Sequence, residues 1–285
     1  DLCDLIAHAK ARGLMPVVGA NGLLLDDAAA RRLAESGAAG VGLSLDSLDP
    51  ERHDAFRGAP GAWRRTVAAI EACQRAGLAV QVQTTAMPWN SGEILSLIAF
   101  AAERGAASFN LFFLVCTGRG GQLTDITPEQ YETTLTMLLE AEATYRGRMM
   151  VRARCAPHFR RLIYQRAPES PLLIQGAGAC LAGRSYCRVT PEGDVTPCPY
   201  LPLVAGNVRA QPFAEIWAEA SIFHFLRQPT LTGRCGACEF ASVCGGCRAR
   251  AYASYGEASA LPSVARQALL GEDPCQGSLP GARRA

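Results

Sequence analysis

The chain has 285 residues, of which 49% are hydrophobic and 19% charged, and its formal net charge is +2. That is enough apolar material for a large core plus a small appendage, which excludes a disordered or repetitive chain. The charge is spread without a lysine- or arginine-rich run, excluding an electrostatic footprint for nucleic acid, and no apolar stretch approaches the roughly 18 residues that cross a bilayer.

Leu2, Leu5, Ile6 and Ala9 recur at helical spacing from the first residues on. No basic region followed by an apolar one precedes them, so the expectation is a cytoplasmic protein without a targeting peptide, continuing upstream of Asp1. Short apolar runs at 15–18, 40–45, 79–85 and 108–115 read as buried parallel strands. Between them, residues 26–36, 61–76 and 91–103 carry apolar side chains near helical spacing, with Gly77 or Gly105 as a stop. Such βαβ units wind right-handed into an open sheet or a barrel, and both place their chemistry at the C-terminal strand ends. The polar residues there are Asn21, Ser44, Asp46 and Thr85. Thr127 opens a helix running to about Tyr145, with Pro128 at its first position. A strand at 149–153 follows, then Cys155-Ala-Pro-His158 and a linker with Pro168, Pro171 and Gly176. The boundary falls near residue 170, giving domains 1–170 and 171–285.

Twelve cysteines are distributed unevenly. Cys3, Cys73, Cys116 and Cys155 are scattered, whereas Cys180, Cys187, Cys198, Cys235, Cys238, Cys244, Cys247 and Cys275 crowd the second domain. Disulfide frameworks belong mainly to small secreted domains without a core, so metal ligation is the better reading. Eight thiolates make two sets of four, as cubane 4Fe–4S clusters require, and Gly236, Gly245 and Gly246 let the backbone pass close to a bulky cage. C-x2-C pairs also serve tetrahedral zinc, and spacing alone leaves a zinc-stabilised, non-catalytic binding module open. Residues 186–197 read as a hairpin turning at Glu192-Gly193.

The run from Cys180 through Cys187-Arg-Val-Thr-Pro-Glu-Gly193-Asp-Val-Thr-Pro-Cys198-Pro-Tyr, then Gly206-Asn-Val with Glu215-Ile-Trp217, then Cys235 to Cys247, resembles the SPASM domain of radical S-adenosylmethionine (SAM) enzymes. Upstream, Asn21-Gly22, Ser44-Leu-Asp46 and His53-Asp54-x2-Arg57-Gly58 resemble the central part of that superfamily's partial barrel. Leu111 to Gly120, Cys155-Ala-Pro-His158 and Cys244-Gly-Gly-Cys247-Arg-Ala-Arg-Ala-Tyr252 are most similar to its tetrapyrrole-modifying clade, which acts in haem d1 and alternative haem biosynthesis.

The resemblance implies an α/β fold: a partial (β/α) barrel lacking its first strands, followed by a small cysteine-rich iron–sulfur domain. It implies one or two auxiliary 4Fe–4S clusters on the eight cysteines, and SAM held by Ser44 and Asp46, with Asn21 and Thr85 as weaker contacts. Ser and Asp at a strand end also commonly cap the following segment. The implied reaction uses a 5′-deoxyadenosyl radical on a small-molecule substrate, a tetrapyrrole side chain, with a ribosomal peptide as the alternative. A flavodoxin or ferredoxin would supply electrons, with no nucleic acid or membrane partner. The C-x3-C-x2-C loop and Gly-Gly-Glu segment of the superfamily are not in these residues and are expected upstream, so the 285 residues alone are expected not to cleave SAM. Two further departures are Ala20, where the family commonly has threonine, and the long stretch between Tyr252 and Cys275.

Cys155, His158 and Arg119 are candidate substrate contacts, against packing or turn roles. Phe112 and Phe113 alternate, so one faces inward, and Arg152 and Arg154 add cationic groups near strand ends. Arg248 and Arg250 are expected on substrate carboxylates, or else solvated or capping a helix dipole. Cys3 and Cys73 are read as packing residues, Cys116 as packing or lining the cavity, and His8, His53 and His224 have no identifiable partner in the sequence.

Overall fold

The computed structural model describes residues 1–174 and 180–255; Cys275 lies outside them. The chain forms two compact units, one of Asp1–Phe113 with Thr133–Arg154, the other of Leu114–Glu132 with the residues from Cys155 on.

In the first unit, α1 (Leu2–Ala11), β1 (Val17–Ala20), α2 (Asp27–Glu35), β2 (Gly40–Ser44), α3 (Pro50–Arg57), α4 (Ala62–Arg75), β3 (Ala79–Ala86), α5 (Ile94–Glu103) and β4 (Ser108–Phe113) alternate along the chain. After β4 the chain passes through α6 (Pro128–Tyr145) to β5 (Met150–Arg154). All five strands are parallel and lie in chain order, β1-β2-β3-β4-β5. A parallel sheet that never reverses its order keeps its crossovers on one side and winds as a barrel segment, not as a doubly wound sheet.

Alternation along the strands gives the sheet two unlike faces. Val41, Leu43, Val80, Val82, Phe109, Leu111 and Phe113 are buried on one of them. Helix α4 packs a stripe of Ala62, Thr66, Ala69, Ile70 and Cys73 inward at 3.6-residue spacing. On the other face, pairing places Ser44, Gln83, Asn110 and Arg152 in one row across four strands, and Thr85, Phe112 and Arg154 in the next. Phe112, not Phe113, therefore shares the polar face.

Each unit's helices start where local chemistry dictates. Asp49 accepts bonds from the Glu51 and Arg52 amides at 2.9 and 3.3 Å, with Pro50 at the first position of α3. Thr127 and Gln130 cap α6 reciprocally: the Thr127 amide donates to Gln130 Oε1 and the Gln130 amide to Thr127 Oγ1.

The second unit is poorer in regular structure. Helices α7 (His158–Arg166) and α8 (Pro171–Ile174) precede a small antiparallel sheet of β6 (Arg188–Val189), β7 (Asp194–Thr196) and β8 (Gly206–Asn207). Then come α9 (Phe213–Glu219), α10 (Ser221–Arg227), α11 (Gly233–Gly236) and α12 (Arg248–Tyr255). Two apolar clusters hold it. One joins Val115, Leu201, Leu226, Cys247 and Ala249, with Cys155, Cys198 and Tyr200 packed against it. The other joins Val195, Ile216 and Phe223.

Candidate functional site

The loop leaving β2 is fastened by buried polar contacts. Asp46 is fully buried; its Oδ2 accepts from Arg57 Nε at 2.6 Å and Nη2 at 2.5 Å, and its Oδ1 from the Thr85 amide at 2.9 Å. Its own amide donates to His53 Nδ1 at 3.2 Å, so His53, for which the sequence offers no partner, has one in the structure. Burial holds His53 below its ordinary pKa, against the pull of the Asp46 carboxylate, so the ring is neutral and can accept that bond. The motif His53-Asp54-x2-Arg57-Gly58 thus resolves into four structural tasks. His53 and Arg57 grip Asp46, Asp54 accepts from the Gly61 and Trp63 amides that open α4, and Gly58 ends α3 at φ +63°.

Two further residues brace the same loop from beyond β3. Asn90, fully buried, donates from Nδ2 to the Asp46 and Thr85 carbonyls at 2.9 Å each and accepts from the Met87 amide. Glu93 accepts from Ser47 Oγ at 2.7 Å, the Leu48 amide at 3.0 Å and Arg52 Nη1 at 3.2 Å. Sequence reasoning misses both. The Pro88-Trp-Asn90-Ser-Gly92 turn signature is the available clue to Asn90, because asparagine in such a turn bonds backbone.

Of the four strand-end candidates, Ser44 stands on the polar sheet face, half-buried, and among the described residues its hydroxyl takes no partner. Thr85 follows on the same face, and both of its backbone polar groups are held, by Asp46 and Asn90. Asn21 spends its side-chain oxygen on the Leu23 amide at 3.1 Å, while its carbonyl accepts from Thr66 Oγ1. Gly22 beside it has φ +80°, and a Cβ there would lie 3.0 Å from the Thr66 backbone, so this turn admits only glycine without displacement. Asn21 also lines a cavity of about 440 Å³ with Asp1, Val18, Ala20 and Leu33. Across the polar face, Arg154 Nε donates to Asn110 Oδ1 at 2.9 Å, and Asn110 Nδ2 to Ser108 Oγ at 3.2 Å. None of the strand residues in its two rows is acidic.

In the second unit, none of the described cysteines is disulfide-bonded. Cys187 and Cys198 flank the β6–β7 hairpin, which turns at Gly193 as expected, and Cys198 packs in one apolar cluster with Cys247 and Cys155. Backbone amides are aimed at several of the sulfurs. The Phe240 amide points at Cys238 Sγ and the Gly246 amide at Cys244 Sγ, both at 3.4 Å, and the Tyr200 and Leu201 amides bond to Cys198. Burial pushes the Cys198 thiol up to about 11, with those amides pulling the other way. Amides aimed at cysteine sulfur stabilise the charged, metal-ligating form. Among the described residues no three cysteine, histidine or acidic side chains gather closely enough to share one metal ion. Thiol donors of this kind are what an iron–sulfur cage takes, four to a cubane, so the residues present suit such a cluster.

One expectation for this unit is corrected. Arg248 and Arg250 are neither solvated nor exposed to a ligand; they are buried, at 5% and 3% exposure, because each has polar partners inside the fold. Arg250 Nη2 donates to the Leu114 carbonyl at 2.9 Å, Tyr131 Oη at 3.1 Å and the Cys155 carbonyl at 3.2 Å. Arg248 Nη2 lies 3.6 Å from Cys235 Sγ. Cys155 has φ +59°, the only such value outside glycine among the described residues. His158 is buried, with its ring centroid 5.1 Å from that of Tyr131. The Arg119 side chain lies outside the described part. Cys73 is buried in α4, which raises its thiol to about 11, as suits a packed residue.

With this geometry in hand, comparison with known proteins is decisive. The model of the radical SAM superfamily matches residues 1–101, and SPASM, an iron–sulfur cluster-binding domain, matches 180–239. The AdoMet-dependent heme synthase of Methanosarcina barkeri is 40% identical over 266 residues, covering 90% of this chain and 76% of that protein. The chain belongs to the radical SAM superfamily. A second relative of this radical SAM protein, the mycofactocin maturase MftC of Mycobacterium ulcerans, is 30% identical over 87% of this chain and 66% of its own length. Streptococcus suis SuiB shares the fold at TM-score 0.69 and 14% identity, the match covering 89% of this chain and 60% of SuiB. The α/β barrel segment and iron–sulfur domain expected from the sequence are therefore those of a radical SAM enzyme, whose family binds SAM and iron–sulfur clusters. Among the described residues no helix is long and apolar enough to cross a membrane.

Proposed function

We propose that the full-length protein modifies a propionate or acetate side chain of a tetrapyrrole in haem synthesis, by decarboxylation or side-chain loss. The observation that carries this is the 40% identity to an AdoMet-dependent heme synthase across nine-tenths of the chain, against 30% to a mycofactocin maturase. When bound, SAM and the catalytic cluster supply a 5′-deoxyadenosyl radical that abstracts hydrogen. The chain's own residues position and exclude. Ser44 and Thr85, on the polar sheet face, are the proposed SAM contacts, with Asn21 at the neighbouring strand end. Asp46, both oxygens taken, acts by holding the Ser44 loop. Cys180, Cys187, Cys198, Cys235, Cys238, Cys244, Cys247 and Cys275 are the proposed auxiliary-cluster ligands. Cys155, His158 and Arg119 remain proposed substrate-side residues.

The polar face supports a carboxylate-bearing substrate, because Arg152 and Arg154 stand on it beside amide and hydroxyl groups without an acid in those rows. We place the partial barrel in residues 1–170 and the cluster domain in 171–285. The protein is proposed to be cytoplasmic and to take electrons from a flavodoxin or ferredoxin. These 285 residues, which contain no C-x3-C-x2-C run, are proposed not to cleave SAM by themselves.

Titrating the full-length protein with an iron porphyrin bearing free propionates is expected to shift its Soret band. Arg152→Gln should weaken that binding, but leave binding of the esterified porphyrin unchanged. Absence of any spectral change, with a short precursor peptide encoded nearby and modified by the enzyme, would replace the tetrapyrrole reading by the peptide one.

A further inference from the structure

Helix α12 begins immediately after Cys247 and carries two buried arginines, two residues apart, with different partners. Every partner given above for Arg250 is an oxygen. Arg248 instead reaches back thirteen residues and sets Nη2 3.6 Å from the sulfur of Cys235, itself 4% exposed. A guanidinium keeps its proton throughout the accessible pH range, so a permanent positive charge, largely removed from water, stands beside the Cys235 sulfur.

We propose that Arg248 is a positioning residue that sets the reduction potential of the auxiliary cluster held through Cys235. The inference rests on the reading of Cys235 as a cluster ligand. Reduction adds negative charge to a cluster, and a hydrogen-bond donor or cation at a ligand sulfur stabilises that charge, raising the potential. Burial strengthens the effect, because little water screens it. Arg248 is also covalently next to Cys247, so one residue ties the two ends of the Cys235-x2-Cys238-x5-Cys244-x2-Cys247 motif together.

The test uses full-length protein, reconstituted anaerobically, with iron and sulfide assayed and each cluster's potential read by EPR-monitored titration. Cys235→Ala should lose about four irons and one signal, which identifies the cluster concerned. If it keeps all its iron, the ligand reading itself falls, independently of Arg248. Arg248→Gln should retain iron and shift the reduced-to-oxidised ratio of that cluster at least about tenfold toward oxidised, equivalent to about 59 mV for one electron. Arg248→Lys, which keeps the charge, should shift it less. Arg250→Gln should leave every cluster's potential in place. A change of less than about threefold in Arg248→Gln, or an equal shift in Arg250→Gln, overturns the proposal. Should Arg248→Gln not take up iron, Arg248→Lys decides: iron uptake with a shift of at least about threefold toward oxidised supports the assignment, and failure to load or an unchanged potential overturns it.

Discussion

The two units hold their functional residues by different means. In the first, a five-stranded parallel sheet places each candidate at a strand end, and a closed network of Asp46, His53, Arg57, Asn90 and Glu93 fixes the loop around them. In the second, the strands are two or three residues long, and order comes from two apolar clusters, buried arginines and sulfur contacts. The contacts that fix the first are all made between its own residues. The second would complete its organisation through the cluster bonds proposed for its thiolates. Small units with thin cores generally need such staples.

Removing iron should break the comparison most visibly. With clusters loaded, both units should resist hydrogen exchange; after chelation, amides of 180–255 should exchange many times faster while those of β2 to β4 keep their protection. Equal loss in both units would show that the first is not self-organised. The next largest effect is expected from Asp46→Ala, which leaves Arg57 without its carboxylate and the Thr85 amide without an acceptor. Unfolding free energy should fall by roughly 3 kcal/mol, read by denaturant titration, with SAM affinity lost alongside. Ser44→Ala should sharpen the contrast by costing SAM affinity alone, about tenfold or more, with stability and iron content intact. The smallest effect concerns pH. Because His53 is held below its ordinary pKa in the fold, the unfolded chain takes up a proton first as pH falls. Its contribution is therefore fully present above about 6.5 and is lost as pH drops from there toward the depressed value. His53→Gln should flatten that part of a stability–pH curve.

These differences also explain what can be read from the sequence. Parallel strands buried on one face announce themselves as short apolar runs, so β2, β3 and β4 lie where periodicity places them. β1 begins later than its apolar run, because Leu14 and Met15 are exposed ahead of Pro16. Helix α3 escapes periodicity, since its polar sequence has no apolar stripe, although Asp49-Pro50 carries the start signal. Ser44 and Thr85 are legible as strand-end residues. Asn90 and Glu93 are not, because each acts on a backbone more than forty residues away, or on one five residues back across a turn, and neither distance has a period. The cysteine motif is legible through its spacing, yet the partners of Arg248 and Arg250 are not. Sequence gives no sign of whether a charge beside a ligand points outward or in.

The left-handed backbone at Cys155 bears on how this protein could be improved or spoiled. A side chain with a Cβ in that region carries roughly 1–2 kcal/mol of conformational strain, and glycine would relieve it. Cys155→Gly is therefore expected to preserve or raise the melting temperature while deleting the thiol. A stability screen blind to turnover would favour that substitution, and a screen for turnover would discard it if the thiol meets substrate. Opposite outcomes of the two selections at one residue would separate what the backbone prefers from what the chemistry demands.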